Sequence, residues 1–133
     1  MIFVFGSNLA GRHGAGAAKY AKENYGAIYG MGKGRQGQSY AIPTKDQKLK
    51  TLPLDTIKFH VEQFIQYARQ HPYEIFYVTA IGTGLAGYKN EQIAPMFINA
   101  PDNCTFCWQW VEIFHKMGKP AKEYGQIEGG NNE

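Results

Sequence analysis

Residues 2–20, with the sequence IFVFGSNLAGRHGAGAAKY, decide the fold. The apolar run at residues 2–5 ends at Gly6, a pattern typical of a fully buried strand. A loop of small residues follows, and residues 15–24 predict a helix whose alanines let it lie close to a sheet. This order places backbone N–H groups at a helix N-terminus, where they have no intrahelical acceptor and bind an anion such as phosphate. The alternative is an ordinary tight strand-to-helix turn.

The length and composition indicate one globular domain. The chain has 133 residues, 44% of them hydrophobic and 14% aromatic, which suffices for one core but not for two. We predict a domain over residues 1–117 and a tail over residues 118–133 that is disordered at its end.

Charge and hydropathy limit the classes of function. No apolar run approaches the roughly 18 residues of a membrane span, and no secretion signal is recognisable, so we expect a cytoplasmic protein without a membrane partner. The net charge is +3, from 14 basic and 11 acidic residues along the chain. This mild excess suits anionic small molecules. It supports nucleic-acid binding only weakly, because that function usually shows a concentrated basic patch.

The remaining segments alternate between strands and helices. Residues 30–37 are too glycine-rich for a regular element and predict a mobile, solvated loop. The alternative is a loop that covers an anionic ligand with Lys33 and Arg35. Strands are predicted at residues 39–43, ending at Pro43, and at 75–80 and 103–107. Helices are predicted at residues 54–70, 91–97 and 108–117. The longest of them has an apolar stripe at helical spacing, formed by Ile57, Val61, Phe64, Ile65 and Ala68.

The alternation predicts a three-layer α/β/α fold with a mainly parallel, mixed central sheet. In such sheets ligands bind beyond the carboxyl ends of the strands. Three of these ends have unusual chemistry, namely residues 6–16, 44–46 and 82–88. We expect them to converge on one crevice.

Several named motifs do not fit. The first loop has neither the spacing of a dinucleotide-binding loop nor the Gly-Lys-Ser/Thr ending of a Walker loop. Cys104 and Cys107 have C-x-x-C spacing, but a structural zinc site needs four ligands and the chain has only these two cysteines. We interpret them as core residues and predict no metal and no cofactor, a redox pair being the alternative. His13 either contacts a ligand or transfers a proton there, or it is exposed to solvent. Tyr88 either stacks on a sugar or base or packs in the core.

Both glycine loops resemble those of the macro domain family. The first runs into the Gly-Ala-Gly-Ala-Ala helix start at residues 14–18, and the second reads AIGTGLAGY at residues 80–88. The resemblance covers residues 2–107 and is closest to small macro-like proteins, often phage-encoded, which would place this chain in the host cytoplasm. It implies a macro-like fold that binds ADP-ribose or a related NAD-derived nucleotide. The family's adenine-binding Asp has no counterpart here, so no adenine preference is implied.

The resemblance also implies a set of site residues. Backbone groups of the two loops would hold the diphosphate and Asn8 the distal ribose; the implied ligand contacts are Ser7, Asn8, His13, Gly14, Ala15, Gly16, Ala17, Gly82, Thr83, Gly84, Leu85, Ala86, Gly87 and Tyr88. The branch typified by terminal ADP-ribose protein glycohydrolase places its catalytic lysine at Lys45. Asp46 is a candidate acid or a turn residue, because the acid position of that branch is Ala86.

Three functions therefore remain open. The first is hydrolysis of an ADP-ribosyl bond or of a ribose phosphate, with Lys45 able to form a Schiff base when it is deprotonated. The second is binding without catalysis, as in a phage protein that sequesters a nucleotide of host defence. The third is single-stranded nucleic-acid binding through Lys33, Arg35 and the tyrosines.

Overall fold

The computed structural model describes residues 1–125 of the chain. Within them, six strands form one sheet in the order β2-β3-β1-β4-β5-β6. The strands are β1 (Ile2–Asn8), β2 (Gly34–Gln36), β3 (Ser39–Lys45), β4 (Phe76–Val78), β5 (Cys104–Phe106) and β6 (Lys122–Glu123). The helices are α1 (Gly16–Asn24), α2 (Leu54–Gln70), α3 (Asn90–Ile93), which continues into a 3₁₀ turn (Ala94–Phe97), and α4 (Trp108–Lys116).

The fold is the predicted α/β fold with three layers. All neighbouring strands pair in parallel except β2, which runs antiparallel to β3. The strand β1 lies between β3 and β4, and its apolar residues alternate between the two faces. Ile2 and Val4 pack into the large core with α2 and α4, whereas Phe3 and Phe5 pack against α1. Burial of each such side chain contributes about 1.5–3 kcal/mol.

Helix α2 confirms the reading of its apolar stripe. The helix spans the predicted residues, and the five stripe residues are its buried ones. Helix α1 buries Ala17, Ala18 and Ala21, and these small side chains let it lie close to the sheet. It ends at Asn24 with Tyr25 as its C-cap, and Gly26 follows with a φ of +74°, the conformation that favours glycine after a helix.

Three strands differ from their predicted bounds by two residues or more at one end. Strand β1 continues through Gly6 to Asn8 instead of ending at residue 5. Strand β3 continues past Pro43 to Lys45. The last residue of β3 that pairs with β2 is Ala41, so the missing N–H of Pro43 faces a side of β3 without a neighbouring strand. Strand β4 is shorter than predicted, at Phe76–Val78.

Two short strands lie where no strand was predicted. Strand β2 lies inside the glycine-rich segment, which corrects its interpretation as an irregular loop. Strand β6 extends the sheet beyond residue 117. The predicted disorder at the end of the tail concerns residues 126–133, which lie outside the described part of the chain. No helix within residues 1–125 combines the length and the apolar character needed to cross a bilayer.

Candidate functional site

The three strand ends meet at one cavity of about 570 Å³. The first loop, the end of β3 and the loop after β4 all contribute to its wall, as the topology predicts. Of the residues that the sequence and the resemblance single out, eleven line this cleft: Ser7, Asn8, Gly14, Ala15, Gly16, Ala17, Lys45, Gly82, Gly84, Leu85 and Ala86. Six further residues line it that were not named as individual site residues: Gly6, Arg12, Ala18 and Thr44, which lie in the segments singled out above, and Tyr29 and Leu49, which do not.

The first loop is closed on itself by the side chain of Asn8. Its Oδ1 accepts a hydrogen bond from the Arg12 N–H at 2.9 Å, and its Nδ2 donates to the Arg12 carbonyl at 3.0 Å. The Gly11 N–H also donates to the Asn8 carbonyl, at 2.9 Å. Because both ends of the amide are used in this way, Asn8 shapes the loop, and its contact with a ribose remains a prediction.

The glycine-rich segment before β2 supports the first loop from behind. A Cβ on Gly32 would lie 2.3 Å from the Asn8 carbonyl oxygen, and a Cβ on Gly11 would lie 2.3 Å from the Gly30 carbonyl carbon. The Gly30 N–H donates to the Gly11 carbonyl at 2.8 Å, and the Ser7 hydroxyl donates to the Gly32 carbonyl. These glycines therefore allow two backbones to pack in direct contact.

Helix α1 begins at the cleft without a side-chain cap. Its N-cap is Ala15, which makes no capping hydrogen bond, and its first turn has no acidic residue. Gly14, Ala15 and Gly16 are exposed and line the cavity. The first N–H groups of the helix are therefore open to an anion, and no carboxylate of the helix competes with it.

Two cationic side chains and no carboxylate line the cleft within the described residues. Arg12 is exposed and Lys45 is half-buried, and neither takes part in an ion pair within residues 1–125, where Arg35 and Glu74 form the single one. The Lys45 carbonyl accepts a hydrogen bond from the Leu9 N–H at 3.0 Å, which fixes its backbone beside the first loop. The cleft is therefore positively charged and suits an anionic ligand.

Asp46 acts as a turn residue. Its carboxylate accepts hydrogen bonds from the N–H groups of Lys48 at 2.8 Å and Lys50 at 3.0 Å. Both bonds hold the pKa of the Asp46 carboxyl below its ordinary value, and the bond from Lys50 has the larger effect. Asp46 does not line the cleft, so the prediction that it acts as the catalytic acid is not supported by its position.

The turn that Asp46 closes presents Leu49 to the cleft. Leu49 has a φ of +63° and is the one non-glycine residue with a positive φ in the described part of the chain. A side chain with a Cβ in this conformation costs roughly 1–2 kcal/mol. The Thr51 hydroxyl donates to the Ala86 carbonyl at 3.0 Å, which connects this turn to the second glycine loop.

His13 is buried, which corrects the prediction that it is exposed to solvent, and it does not line the cleft, so its position does not support a ligand contact. Its ring stands edge-on to Phe5, with ring centroids 5.3 Å apart. Its Nε2 lies 3.1 Å from the Met31 carbonyl oxygen and 3.3 Å from Oε1 of Gln36. His13 therefore anchors the segment that supports the first loop.

The remaining predicted contacts of the second loop are internal to the protein. The Thr83 hydroxyl donates to the Ala80 carbonyl and the Tyr88 hydroxyl to the Leu52 carbonyl, each at 2.7 Å. The Gly87 N–H donates to the Gly84 carbonyl at 3.0 Å. None of these three residues lines the cleft. For Tyr88, packing against the core is the correct alternative.

The two cations of the glycine-rich segment also lie away from the cleft. Arg35 donates to a Glu74 carboxylate oxygen at 2.7 Å and to the Tyr67 hydroxyl at 3.0 Å. Lys33 lines a separate groove beside α2. Neither residue therefore covers the cleft.

Cys104 and Cys107 are buried free thiols, as the core interpretation predicts. Burial raises the pKa of Cys104 to about 12 and also raises that of Cys107, which disfavours the reactive thiolate. Within residues 1–125 no three metal-ligating side chains come together.

The cleft thus combines open backbone N–H groups at a helix N-terminus, a second glycine loop and two cations that form no ion pair within residues 1–125. Comparison with protein-family models, with curated proteins and with solved structures gave no match. Sequence reasoning missed Arg12, Tyr29 and Leu49. The position of Arg12 inside the first loop was the available signal for that residue, whereas Tyr29 and Leu49 carry none.

Proposed function

We propose that this protein binds ADP-ribose or a related NAD-derived nucleotide in the cleft between its two glycine loops. One observation carries the proposal: both loops face one cavity that contains Arg12 and Lys45 and no carboxylate among the described residues. Backbone N–H groups at the start of α1 would hold the diphosphate, and the two cations would neutralise it. The likeness of both loops to those of macro domains supports this ligand class.

The size of the cleft is compatible with such a ligand. Its volume of about 570 Å³ falls within the range of roughly 300–1,000 Å³ that small-molecule sites occupy. The cleft is also open at the surface, since Gly14, Gly84 and Leu85 are exposed.

We favour binding without hydrolysis as the activity of this cleft. General acid–base catalysis needs a positioned proton donor or acceptor within hydrogen-bond reach. Asp46 and His13, the two candidates for that role, lie outside the lining. Lys45 remains the one candidate for a hydrolytic version. A binding module of this kind would sequester its nucleotide, in the cytoplasm, where two free thiols persist.

Titration calorimetry with ADP-ribose, carried to millimolar concentrations, tests the proposal. A charge series at Gly14 locates the site, because Gly14 has no positive φ and a Cβ there would meet no atom within 4 Å. We expect Gly14→Glu to bind at least about fivefold more weakly than its uncharged match Gly14→Gln, because a like charge close to the phosphates costs roughly 1–4 kcal/mol. Gly14→Lys should bind at least as tightly as Gly14→Gln.

Two outcomes would contradict the proposal. One is the absence of measurable heat with ADP-ribose and with its phosphorylated and cyclic relatives. The other is equal affinity across the Gly14 charge series, which would place the ligand elsewhere. Chromatography of the ligand released by heat denaturation separates the two versions of the function: an intact nucleotide indicates binding alone, and a cleaved one indicates hydrolysis.

A further inference from the structure

Three large apolar side chains are exposed around the mouth of the cleft. Tyr29, Leu49 and Leu85 are 60%, 42% and 78% exposed, and all three line the cavity. Single exposed apolar side chains are common on protein surfaces. These three come from three separate segments and line one cavity, so the mouth of the cleft is partly apolar.

The backbone of Leu49 supports this interpretation independently. Its φ of +63° is a conformation that glycine or asparagine adopts with less strain. Strained residues are held in place by their surroundings and are concentrated at ligand sites. The conformation of the turn does not require a leucine. We therefore attribute the leucine at this position to its side chain, which lies in the cleft wall.

Tyr29 offers an aromatic face to a flat group. The Lys22 ammonium lies over its ring, 5.5 Å from the centroid, and this cation occupies one face only. A flat ring can stack on the opposite face, and base–aromatic stacking tolerates every base because each has a π-face.

The amide and the aliphatic hydroxyls that line the cleft belong to Ser7, Asn8 and Thr44, which are buried and already hydrogen-bonded within the protein. The hydroxyls of Ser7 and Thr44 donate to the Gly32 and Ser7 carbonyls, and both ends of the Asn8 amide bond to Arg12. No carboxylate lines the cleft within residues 1–125. The remaining charged groups are donors suited to phosphate.

We propose that the cleft holds the nucleobase of its ligand by stacking and apolar contact and does not read the hydrogen-bonding edge of the base. This inference rests on the proposed function and specifies its selectivity. The diphosphate decides which ligands bind, and nucleotides that differ only in their base bind alike.

The test compares ADP-ribose with inosine diphosphate ribose, in which a carbonyl acceptor replaces the amino donor of adenine, and with inorganic pyrophosphate. We expect the two nucleotides to bind within about threefold of each other, and pyrophosphate to bind more weakly. A site that hydrogen-bonds the base edge rejects a mismatched analogue by as much as about 10⁴-fold. A preference of tenfold or more for either base overturns the inference.

Variants of the apolar wall supply the second arm. We expect Tyr29→Ala to weaken both nucleotides by about fivefold to a hundredfold, the worth of one stacked base, and to leave pyrophosphate unchanged. Tyr29→Phe should retain the affinity. Leu49→Gly should raise the melting temperature and still weaken both nucleotides, which a purely structural role of Leu49 would not do.

The two failures are distinguishable. If ADP-ribose does not bind, the proposed function fails and this inference fails with it. If ADP-ribose binds but inosine diphosphate ribose does not, or if Tyr29→Ala leaves both nucleotides unaffected, only the inference is overturned. Similar affinities for both nucleotides, lost together in Tyr29→Ala, support it.

Discussion

Lys45 is the residue of the cleft whose chemistry can be tested most directly. It is half-buried at the end of β3, lines the cavity and has no ion-pair partner in the described part of the chain. We expect Lys45→Ala to weaken ADP-ribose binding by about tenfold or more, because a hydrogen bond to a charged group contributes about 1.5–3 kcal/mol. Lys45→Arg should retain most of the affinity. Calorimetry measures both, and an unchanged affinity in Lys45→Ala would remove Lys45 from the site.

Asp46 predicts a pH dependence of stability. Its carboxyl has a lowered pKa in the folded protein because it accepts backbone hydrogen bonds from Lys50 and Lys48. A group with a lowered folded pKa stabilises the fold above its unfolded pKa, and this stabilisation is lost as the pH falls through the folded value. Asp46→Ala should therefore melt at a lower temperature than the wild type near neutral pH.

The same difference in melting temperature should shrink as the pH falls below 3.8, the ordinary value for this group. Thermal melts of both proteins at a series of pH values measure it. A difference that persists unchanged at the most acid pH would show that the carboxylate charge does not stabilise the turn.

At the residue scale, backbone patterns were more predictable than side-chain partners. The glycines at residues 14 and 16 predict a loop that contacts a ligand or another backbone segment. Nothing local to His13 shows that it is buried, because its partners Met31 and Gln36 are 18 and 23 residues away. The partners of Asp46 are only two and four residues away, so its role can be predicted from the local sequence. A turn residue was one of the two alternatives for it.

Among the elements, the segment before β2 tests whether close backbone packing shapes the cleft. Gly32 has no positive φ, so the effect of adding a Cβ there is steric. We expect Gly32→Ala to lower the free energy of unfolding by about 1–3 kcal/mol, the usual cost of overpacking, because its Cβ would lie 2.3 Å from the Asn8 carbonyl oxygen.

Gly14→Ala is the matched control, since a Cβ at Gly14 meets no atom within 4 Å. Its stability should stay within about 0.5 kcal/mol of the wild type. Urea denaturation of the three proteins gives the comparison. Equal stability of Gly32→Ala and Gly14→Ala would mean that the backbone at Gly32 moves away from the first loop at little cost.

Helix α2 provides a second pair of variants. Phe64 is fully buried, with its ring centroid 5.1–6.1 Å from those of Tyr40, Phe76 and Phe97. We expect Phe64→Ala to lower the free energy of unfolding by about 3–5 kcal/mol. Phe59 on the same helix is 57% exposed, so Phe59→Ala should change it by at most about 0.5 kcal/mol. Denaturant titrations that rank the two variants equally would contradict this packing of α2.

The predictability of an element depended on its length. Helix α2 repeats its apolar spacing over 17 residues, so its period and its buried face follow from the sequence. Strands β2 and β6 have three and two residues, too few to show a period of two. Strand β2 was also missed because the glycines around it indicate turns and loops.

For the whole molecule, salt dependence separates a nucleotide site from a nucleic-acid surface. Arg35 is paired with Glu74, and Lys33 lies in another groove, so these cations do not form one stripe with Arg12 and Lys45. We expect ADP-ribose binding to weaken only modestly between 50 and 200 mM salt, by less than the roughly 10³–10⁵-fold of a protein that contacts 6–10 phosphates. Calorimetry at several salt concentrations, with a single-stranded oligonucleotide as the comparison, measures it. Tight, steeply salt-dependent binding of the oligonucleotide would favour the nucleic-acid function instead.

The three-layer architecture and the meeting of the strand ends follow from the order of elements alone. Parallel pairing places the carboxyl ends of β1, β3 and β4 at one edge of the sheet, and the loops after them therefore meet. The apolar mouth of the cleft does not follow, because Tyr29, Leu49 and Leu85 belong to loops whose conformations depend on distant contacts.

The backbone contact between the first loop and the glycine-rich segment has a kinetic consequence. Asn8 closes the loop, and Gly30 and Gly32 lie against it, so this wall of the cleft is held by contacts within the protein. A wall that already has its shape loses little conformational entropy when a ligand arrives. The association rate would then be set by diffusion into an open, positively charged cleft, and differences in affinity among related ligands would arise in their dissociation rates.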